Sequence, residues 1–108
     1  MKFWDTSAIL TLLTGQTGSL ELSSIFQDDN HMVIWWSTYI EFVSGICRLH
    51  REDLIDENAF TTLLEVIEKL TSEADQIEPT NHVRQIAAHI LHLHPLRAAD
   101  ALQLASAL

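Results

Sequence analysis

The sequence has little glycine, proline or cysteine: three glycines, two prolines and one cysteine in 108 residues. So little glycine and proline excludes collagen-like and low-complexity chains, and 47% hydrophobic residues is typical of a globular protein. The lone Cys47 cannot form an internal disulfide, which fits a reducing compartment. We therefore expect one domain over residues 1–108 that folds without disulfides in the cytoplasm.

The sequence also lacks long apolar runs and an excess of positive charge. No segment reaches the roughly 18 apolar residues of a membrane-spanning helix, and the N-terminus lacks the basic-then-apolar order of a signal peptide, so no membrane contact is expected. The net charge of −9 argues against a simple nucleic-acid binder, which would present a basic face to the phosphates. Either the partner is not nucleic acid, or a cation lies between the two.

The sequence does contain short apolar runs that alternate with amphipathic segments. The predicted strands are residues 2–5 (KFWD), the continuously apolar run 32–36 (MVIWW) and an edge strand at 75–79 (DQIEP). The predicted helices are TSAILTLL, residues 20–26, and segments that begin at Thr38, Asp56 and Thr80 and after Pro95. This alternation predicts an α/β sandwich with a central parallel sheet flanked by helices.

Two acidic residues follow predicted strands, Asp5 directly and Glu41 in the first turn of the helix after MVIWW. Ligands of open α/β sheets bind outside the carboxyl ends of the strands, so both carboxylates are candidates for a site. Each also has a purely structural interpretation. Asp5 could cap the next helix, and Glu41 could pair with Thr38 in a capping box.

A third acid, Asp100, lies in the first turn of the last helix, on a polar stripe with Arg97, Gln103 and Ser106. Its structural alternative is a solvated acid that the helix dipole favours. Three acids at one rim of a sheet repel one another unless a divalent cation lies between them. Carboxylate oxygens suit Mg²⁺ or Mn²⁺, and such an ion would supply the cation that the net charge calls for.

Two rival interpretations use other residues or another chemistry. Four histidines at short spacing could bind Zn²⁺, although no cysteine joins them: His82, His89, His92 and His94. Asp5 could instead be the nucleophile of a phosphoryl-transfer enzyme, but no lysine is placed to neutralise a phosphate, because Lys2 points from the wrong end of its strand. Both rivals remain open at this point.

Three segments carry a resemblance to a known family: FWDTSAIL, then STYIEFVSGICRL after the second strand, then HPLRAADALQLASAL. In this order they are similar, over the whole chain, to PIN-domain ribonucleases of the VapC toxin type from bacterial VapBC toxin–antitoxin pairs. The resemblance implies a PIN-like sandwich and Mg²⁺ or Mn²⁺ held by Asp5, Glu41 and Asp100, with Thr6 or Ser7 in support. It also implies endonucleolytic cleavage of RNA by a metal-activated water, and a cognate antitoxin protein.

The sequence departs from the family pattern after the last helix. Family members continue into a strand that ends in a fourth acid, then a helix and a final strand, whereas this sequence stops at Leu108. We therefore expect a C-terminally truncated domain that lacks this strand-helix-strand section. The KFWD strand would then expose an edge, which favours a homodimer or higher oligomer. A catalytically silent module that binds the antitoxin or self-associates is the alternative to an active enzyme.

Two contact surfaces are also predicted. Arg48 and Arg51 end the Glu41 helix, where they could contact the RNA backbone or simply offset the helix dipole. An amphipathic antitoxin helix is expected in a groove beside the Glu41 helix, from which its basic side chain could reach the acidic site; the groove is also lined by apolar residues near the N-terminus: Leu12, Leu13, Leu20 and Ile25.

Overall fold

Strands and helices alternate along the computed structural model, which describes residues 2–14 and 31–108. This part of the chain has three strands: β1 (Lys2–Phe3), β2 (Met32–Trp35) and β3 (Asp75–Ile77). Its five helices are α1 (Thr6–Thr14), α2 (Thr38–Arg51), α3 (Glu57–Glu73), α4 (Asn81–Leu93) and α5 (Ala98–Ala107). The helix predicted over residues 20–26 lies outside the described residues.

The three described strands form one parallel sheet in the order β1-β2-β3. Phe3 pairs with Val33 on the β1 side of β2, and Val33 pairs with Asp75 on the β3 side. The predicted parallel α/β fold is therefore confirmed, with β3 at an edge of the described sheet as expected. β1 is shorter than the predicted strand KFWD, because Asp5 already accepts the first hydrogen bond of α1.

Apolar side chains cover both faces of the sheet, because β2 alternates its residues between two clusters. Met32 and Ile34 belong to the cluster beneath α1, α2 and α3, whose other buried members are Trp4, Ile9, Phe42, Ile46 and Ile67. Trp35 belongs to the cluster beneath α4 and α5, with Val83, Ala87, Ile90, Ala101 and Ala105. The described sheet is thus the middle layer of a three-layer sandwich.

Local signals in the sequence fix several helix boundaries. The Asp56 carboxylate accepts from the Ala59 amide at 2.8 Å, and the Thr80 hydroxyl accepts from the Val83 amide at 3.3 Å. Both predicted N-caps are thus confirmed. In the described ranges no helix is both long and apolar enough to cross a membrane.

Parallel strands end at the same edge of a sheet, and this positions the polar residues that follow them. Asp5 comes shortly after β1, and the first turns of α2 come shortly after β2. α5 packs on the opposite side of β2 from α2 and turns its residues Asp100 and Gln103 toward the same edge. The carboxyl edge of the sheet is therefore the place to look for a site.

Candidate active site

A cavity of about 900 Å³ lies where α1, α2 and α5 meet at this edge. Three acids from distant parts of the sequence line it: Asp5, Glu41 and Asp100. Thr6, Ser7 and Arg48 line it as well, whereas Arg51 is not one of its lining residues. The fold thus gathers the three predicted acids and both predicted supporting residues around one cavity, and it separates the two predicted arginines.

Asp5 caps α1 and also lines the cavity, so its two interpretations hold together. Its Oδ1 accepts from the Ala8 amide at 2.8 Å and from the Ser7 hydroxyl at 3.2 Å. Its Oδ2 accepts no hydrogen bond from the described residues. One oxygen therefore orients the side chain, and the other is available to a ligand.

Glu41 does not form the capping box that its sequence pattern suggested. Ser37 is the N-cap of α2 and makes no side-chain capping hydrogen bond. The Glu41 carboxylate reaches across the cavity edge instead, where Oε2 accepts from Thr6 Oγ1 at 3.0 Å and from Gln103 Nε2 at 2.6 Å. Its Oε1 accepts no hydrogen bond within the described part of the chain, so Glu41 also keeps one oxygen available.

Asp100 differs from the other two acids because no described residue donates to it. It is exposed in the first turn of α5, where the helix dipole favours a negative charge. Among the described residues that line the cavity, Arg48 carries the only positive charge against these three acids. The cavity therefore has a negative potential that attracts cations.

Gln103 is the residue of this site that sequence reasoning missed. Its Nε2 lies 3.2 Å from Thr6 Oγ1 and 3.1 Å from Thr38 Oγ1, in addition to its bond with Glu41. The available signal was its position three residues after Asp100, because residues three apart share one face of a helix. The sequence pattern places Gln103 on a polar stripe and indicates no partner for it.

Comparison with known proteins agrees with this architecture. Residues 2–108 match the family model of the PIN domain. The chain belongs to the PIN-domain family. It is also 30% identical to Ribonuclease VapC45 of Mycobacterium tuberculosis strain CDC 1551 / Oshkosh and to Ribonuclease VapC49 of strain ATCC 25618 / H37Rv. Both alignments cover 108 residues, 100% of this chain and 75% of the relative, and they confirm the resemblance to PIN ribonucleases of the VapC type.

The rival zinc site does not form in this PIN domain. Nowhere in residues 2–14 and 31–108 do three or more Cys, His, Asp or Glu side chains lie close enough to hold one metal ion. His92 instead places Nδ1 2.8 Å from the Ala88 carbonyl oxygen, within its own helix. The three acids share a cavity without converging on one point.

The donor set of the cavity nevertheless fits a hard divalent cation. The ligand atoms that it offers a metal ion are carboxylate oxygens, which Mg²⁺ and Mn²⁺ prefer to nitrogen or sulfur. Mg²⁺ keeps several of its waters when it binds, so acids that surround a cavity without converging on one point can hold it in part through those waters.

The predicted antitoxin groove lies largely outside the described residues of this PIN domain. Leu20, Ile25 and the side chain of Leu12 lie outside the part of the chain that the structure describes. Leu13 packs, partly buried, against the cluster that contains Phe42. The groove therefore stays a prediction.

Proposed function

We propose that this PIN domain is a divalent-metal-dependent endoribonuclease and the toxin of a toxin–antitoxin pair. The observation that carries the proposal is the meeting of Asp5, Glu41 and Asp100 in one cavity at the carboxyl edge of a parallel sheet. The names of both relatives, each a ribonuclease, support the same reaction class.

Three groups would hold the cation: Oδ2 of Asp5, Oε1 of Glu41 and the carboxylate of Asp100. Each is free of hydrogen bonds from the described residues. When bound, Mg²⁺ or Mn²⁺ supplies positive charge that offsets the negative charge of the scissile phosphate. A chain of net charge −9 needs such a cation to bring RNA to this cavity.

The surrounding residues orient these acids and the substrate. Ser7 and the Ala8 amide hold Asp5, and Thr6 holds Glu41, so both side chains lose little freedom when a ligand binds. Arg48 stands at the cavity wall, where it can contact a phosphate of the RNA. The positive charge of Arg48 thereby reduces the repulsion between the acids of the cavity and the phosphates of the RNA.

A catalytically silent binding module is the second candidate function. The observation in its favour is that the three carboxylates do not converge on one point. In this case the cavity would bind no Mn²⁺ and the protein would act through a partner.

The two candidates are distinguished by Mn²⁺ titration calorimetry and by cleavage of a fluorescent RNA. Asp5→Asn, Glu41→Gln and Asp100→Asn should each weaken Mn²⁺ binding more than tenfold and abolish cleavage, while Glu65→Gln on the exposed side of α3 should do neither. Asn caps a helix as well as Asp does, so Asp5→Asn keeps the local fold. A parent protein that neither binds Mn²⁺ nor cleaves RNA would favour the silent module.

We also propose a cognate antitoxin protein as the partner. Ile40 and Leu104 line the acidic cavity with 65% and 44% of their surface exposed. Exposed apolar residues beside acids suit an amphipathic helix that carries a basic side chain. Co-purification with the product of the adjacent small gene, and its loss in Ile40→Glu, is the expected result; co-purification that Ile40→Glu leaves intact would place the partner elsewhere.

A further inference from the structure

One side-chain amide joins three helices of the site. Gln103, on α5, brings Nε2 to within 2.6 Å of Glu41 Oε2, 3.1 Å of Thr38 Oγ1 and 3.2 Å of Thr6 Oγ1. Thr38 is completely buried, and Gln103 and Glu41 are half-buried. These contacts are therefore partly shielded from water, which competes for exposed hydrogen bonds.

The chemistry of these groups fixes the direction of each hydrogen bond. An ionised carboxylate only accepts and an amide nitrogen only donates, so Gln103 turns its nitrogen rather than its oxygen toward Glu41. Thr6 gives its single hydroxyl hydrogen to the same Glu41 oxygen, and therefore accepts from Gln103. Oε2 of Glu41 thus has two donors, and Oε1 is the oxygen left for a ligand.

Gln103 is a costly choice if its role is only to stabilise the fold. Its carbonyl Oε1 is buried and has no hydrogen-bond partner in the described part of the chain. A buried carbonyl without a partner destabilises a protein, and an apolar side chain of similar length would avoid this loss. The amide nitrogen offsets this loss through its bonds to Thr6 and Thr38 and through its hold on the Glu41 carboxylate.

We propose that Gln103 is a positioning residue that fixes the Glu41 carboxylate, so that Oε1 alone faces the bound cation. The proposal rests on the metal site of the proposed function and deepens it. Metal ligands are commonly held in this way by hydrogen bonds from residues that do not touch the ion, and those partners raise metal affinity. Because Asp100 lies one turn before Gln103, α5 would supply both a metal ligand and the donor that orients another.

The test removes the donor without adding a competing ligand. Gln103→Met keeps a long unbranched side chain, and Gln85→Met makes the same change at an exposed position of α4. Mn²⁺ titration calorimetry should show binding weakened about 10- to 100-fold in Gln103→Met and unchanged in Gln85→Met. The metal-free melting temperature of Gln103→Met should change little, because loss of the unpaired buried carbonyl and loss of the donor to the buried Thr38 Oγ1 oppose each other.

Coupling with Glu41 separates a positioning role from a structural one. In a Glu41→Ala background, Gln103→Met should cause no further loss of Mn²⁺ affinity, because no carboxylate remains to be oriented. A second, full loss in that background would overturn the proposal. So would Mn²⁺ binding by Gln103→Met within twofold of the parent.

A measurement on the parent protein decides the matter if Gln103→Met does not fold. Nuclear magnetic resonance of the metal-free protein should show slow hydrogen exchange of the Gln103 side-chain amide, and Glu41→Ala should remove this protection. An unprotected amide in the parent would overturn the proposal. If the parent binds no Mn²⁺, the proposed function fails, and the metal role of Gln103 fails with it. If the parent binds Mn²⁺ and Gln103→Met binds it equally well, the role of Gln103 fails and the proposed function stands.

Discussion

Helix α2 has two faces that serve different ends. On the inner face Phe42 and Ile46, four residues apart, are both 0% exposed and pack into the cluster beneath the sheet. On the other face Glu41 and Arg48, seven residues apart, line the acidic cavity. One helix therefore contributes to the stability of the fold through one row of side chains and to the candidate site through the other.

The difference teaches which substitutions should affect which property. The inner face is held by close packing, so any loss of volume there should appear in the free energy of unfolding. The cavity face is half-buried or exposed, and its acids repel one another, so substitutions there should change ligand binding and leave stability almost unaffected. The predictions below test this separation.

The largest effect is expected from Phe42→Ala on the inner face. Removal of a completely buried aromatic ring leaves a cavity and should lower the free energy of unfolding by about 3–5 kcal/mol. Urea denaturation followed by circular dichroism measures this loss. Tyr39→Ala, on an exposed part of the same helix, is the control, and a Phe42→Ala loss below about 1 kcal/mol would contradict the assignment of the inner face to the core.

A smaller effect is expected from Arg48→Ala on the cavity face. It should weaken binding of a single-stranded RNA by up to about 1 kcal/mol, the upper range for an exposed ion pair, and leave unfolding unchanged. It should also reduce the salt dependence of binding. The slope of the logarithm of the binding constant against the logarithm of the salt concentration should become shallower by about 0.7, the value for one phosphate contact with a single strand.

Arg51→Ala is the matched control for this prediction, because Arg51 is exposed on the same helix and does not line the cavity. Fluorescence anisotropy of a labelled RNA, in Ca²⁺ and over a series of salt concentrations, measures RNA binding by both variants. Equal slopes for the two variants would show that Arg48 contacts no phosphate and would remove the cavity face from the RNA-binding surface.

The sequence predicted most of the fold because its signals there are local. Asp56 and Thr80 accept from amides only three residues ahead, so each cap can be read from a four-residue segment. β2 was predicted from its continuous apolar run, and its burial on both faces explains that run. Asp5 and Glu41 were predicted to share one edge because parallel strands end together, whereas Asp100 was added from its place in the first turn of the last helix.

The same local reasoning was wrong at Glu41, and the reason is physical. Thr38-x-x-Glu41 is a capping-box pattern, yet the donors that reach Glu41 are Thr6, 35 residues before it, and Gln103, 62 residues after it. A four-residue pattern carries no information about donors that tertiary packing delivers. Gln103 was missed for this reason, since its role depends on side chains of two other helices.

The separation of the two faces of α2 is sharpened at Gly45, where the helix packs against α1. A Cβ placed on Gly45 would lie 3.1 Å from Cδ1 of Leu10, the far end of a half-buried side chain. Gly45→Ala should raise the free energy of unfolding by roughly 0.5–1 kcal/mol, because alanine is the better helix former and Leu10 can shift by a few tenths of an ångström.

Gly45→Val provides the contrasting variant, because its branched side chain exceeds what the Leu10 shift can accommodate and should lower stability. Both variants are measured by urea denaturation. A loss of stability in Gly45→Ala would mean that α1 and α2 are in rigid contact at this point.

The smallest effect is expected at the end of α2, where a Schellman motif closes the helix. The Leu54 amide donates to the Leu49 carbonyl at 2.9 Å, and the Asp53 amide donates to the His50 carbonyl at 3.2 Å. Asp53 has a φ of 57°, in the left-handed region where glycine is favoured. The helix thus has a glycine in its interior and a non-glycine residue at the position that suits glycine best.

Asp53→Gly should therefore raise the free energy of unfolding by about 0.5 kcal/mol, because glycine adopts this backbone conformation without a Cβ clash. The greater entropy of the unfolded chain with glycine removes part of this gain. Asp53→Ala keeps the Cβ without the local hydrogen bonding that lets aspartate tolerate a positive φ, so it should lower stability. Neither variant should alter Mn²⁺ binding, because Asp53 does not line the cavity. Urea denaturation should show changes of opposite sign in the free energy of unfolding of the two variants. With unchanged Mn²⁺ affinity, this result would show that the end of α2 affects only the fold. A change in Mn²⁺ affinity would show instead that the helix transmits strain from its last turn to Glu41, and that its two faces are not independent.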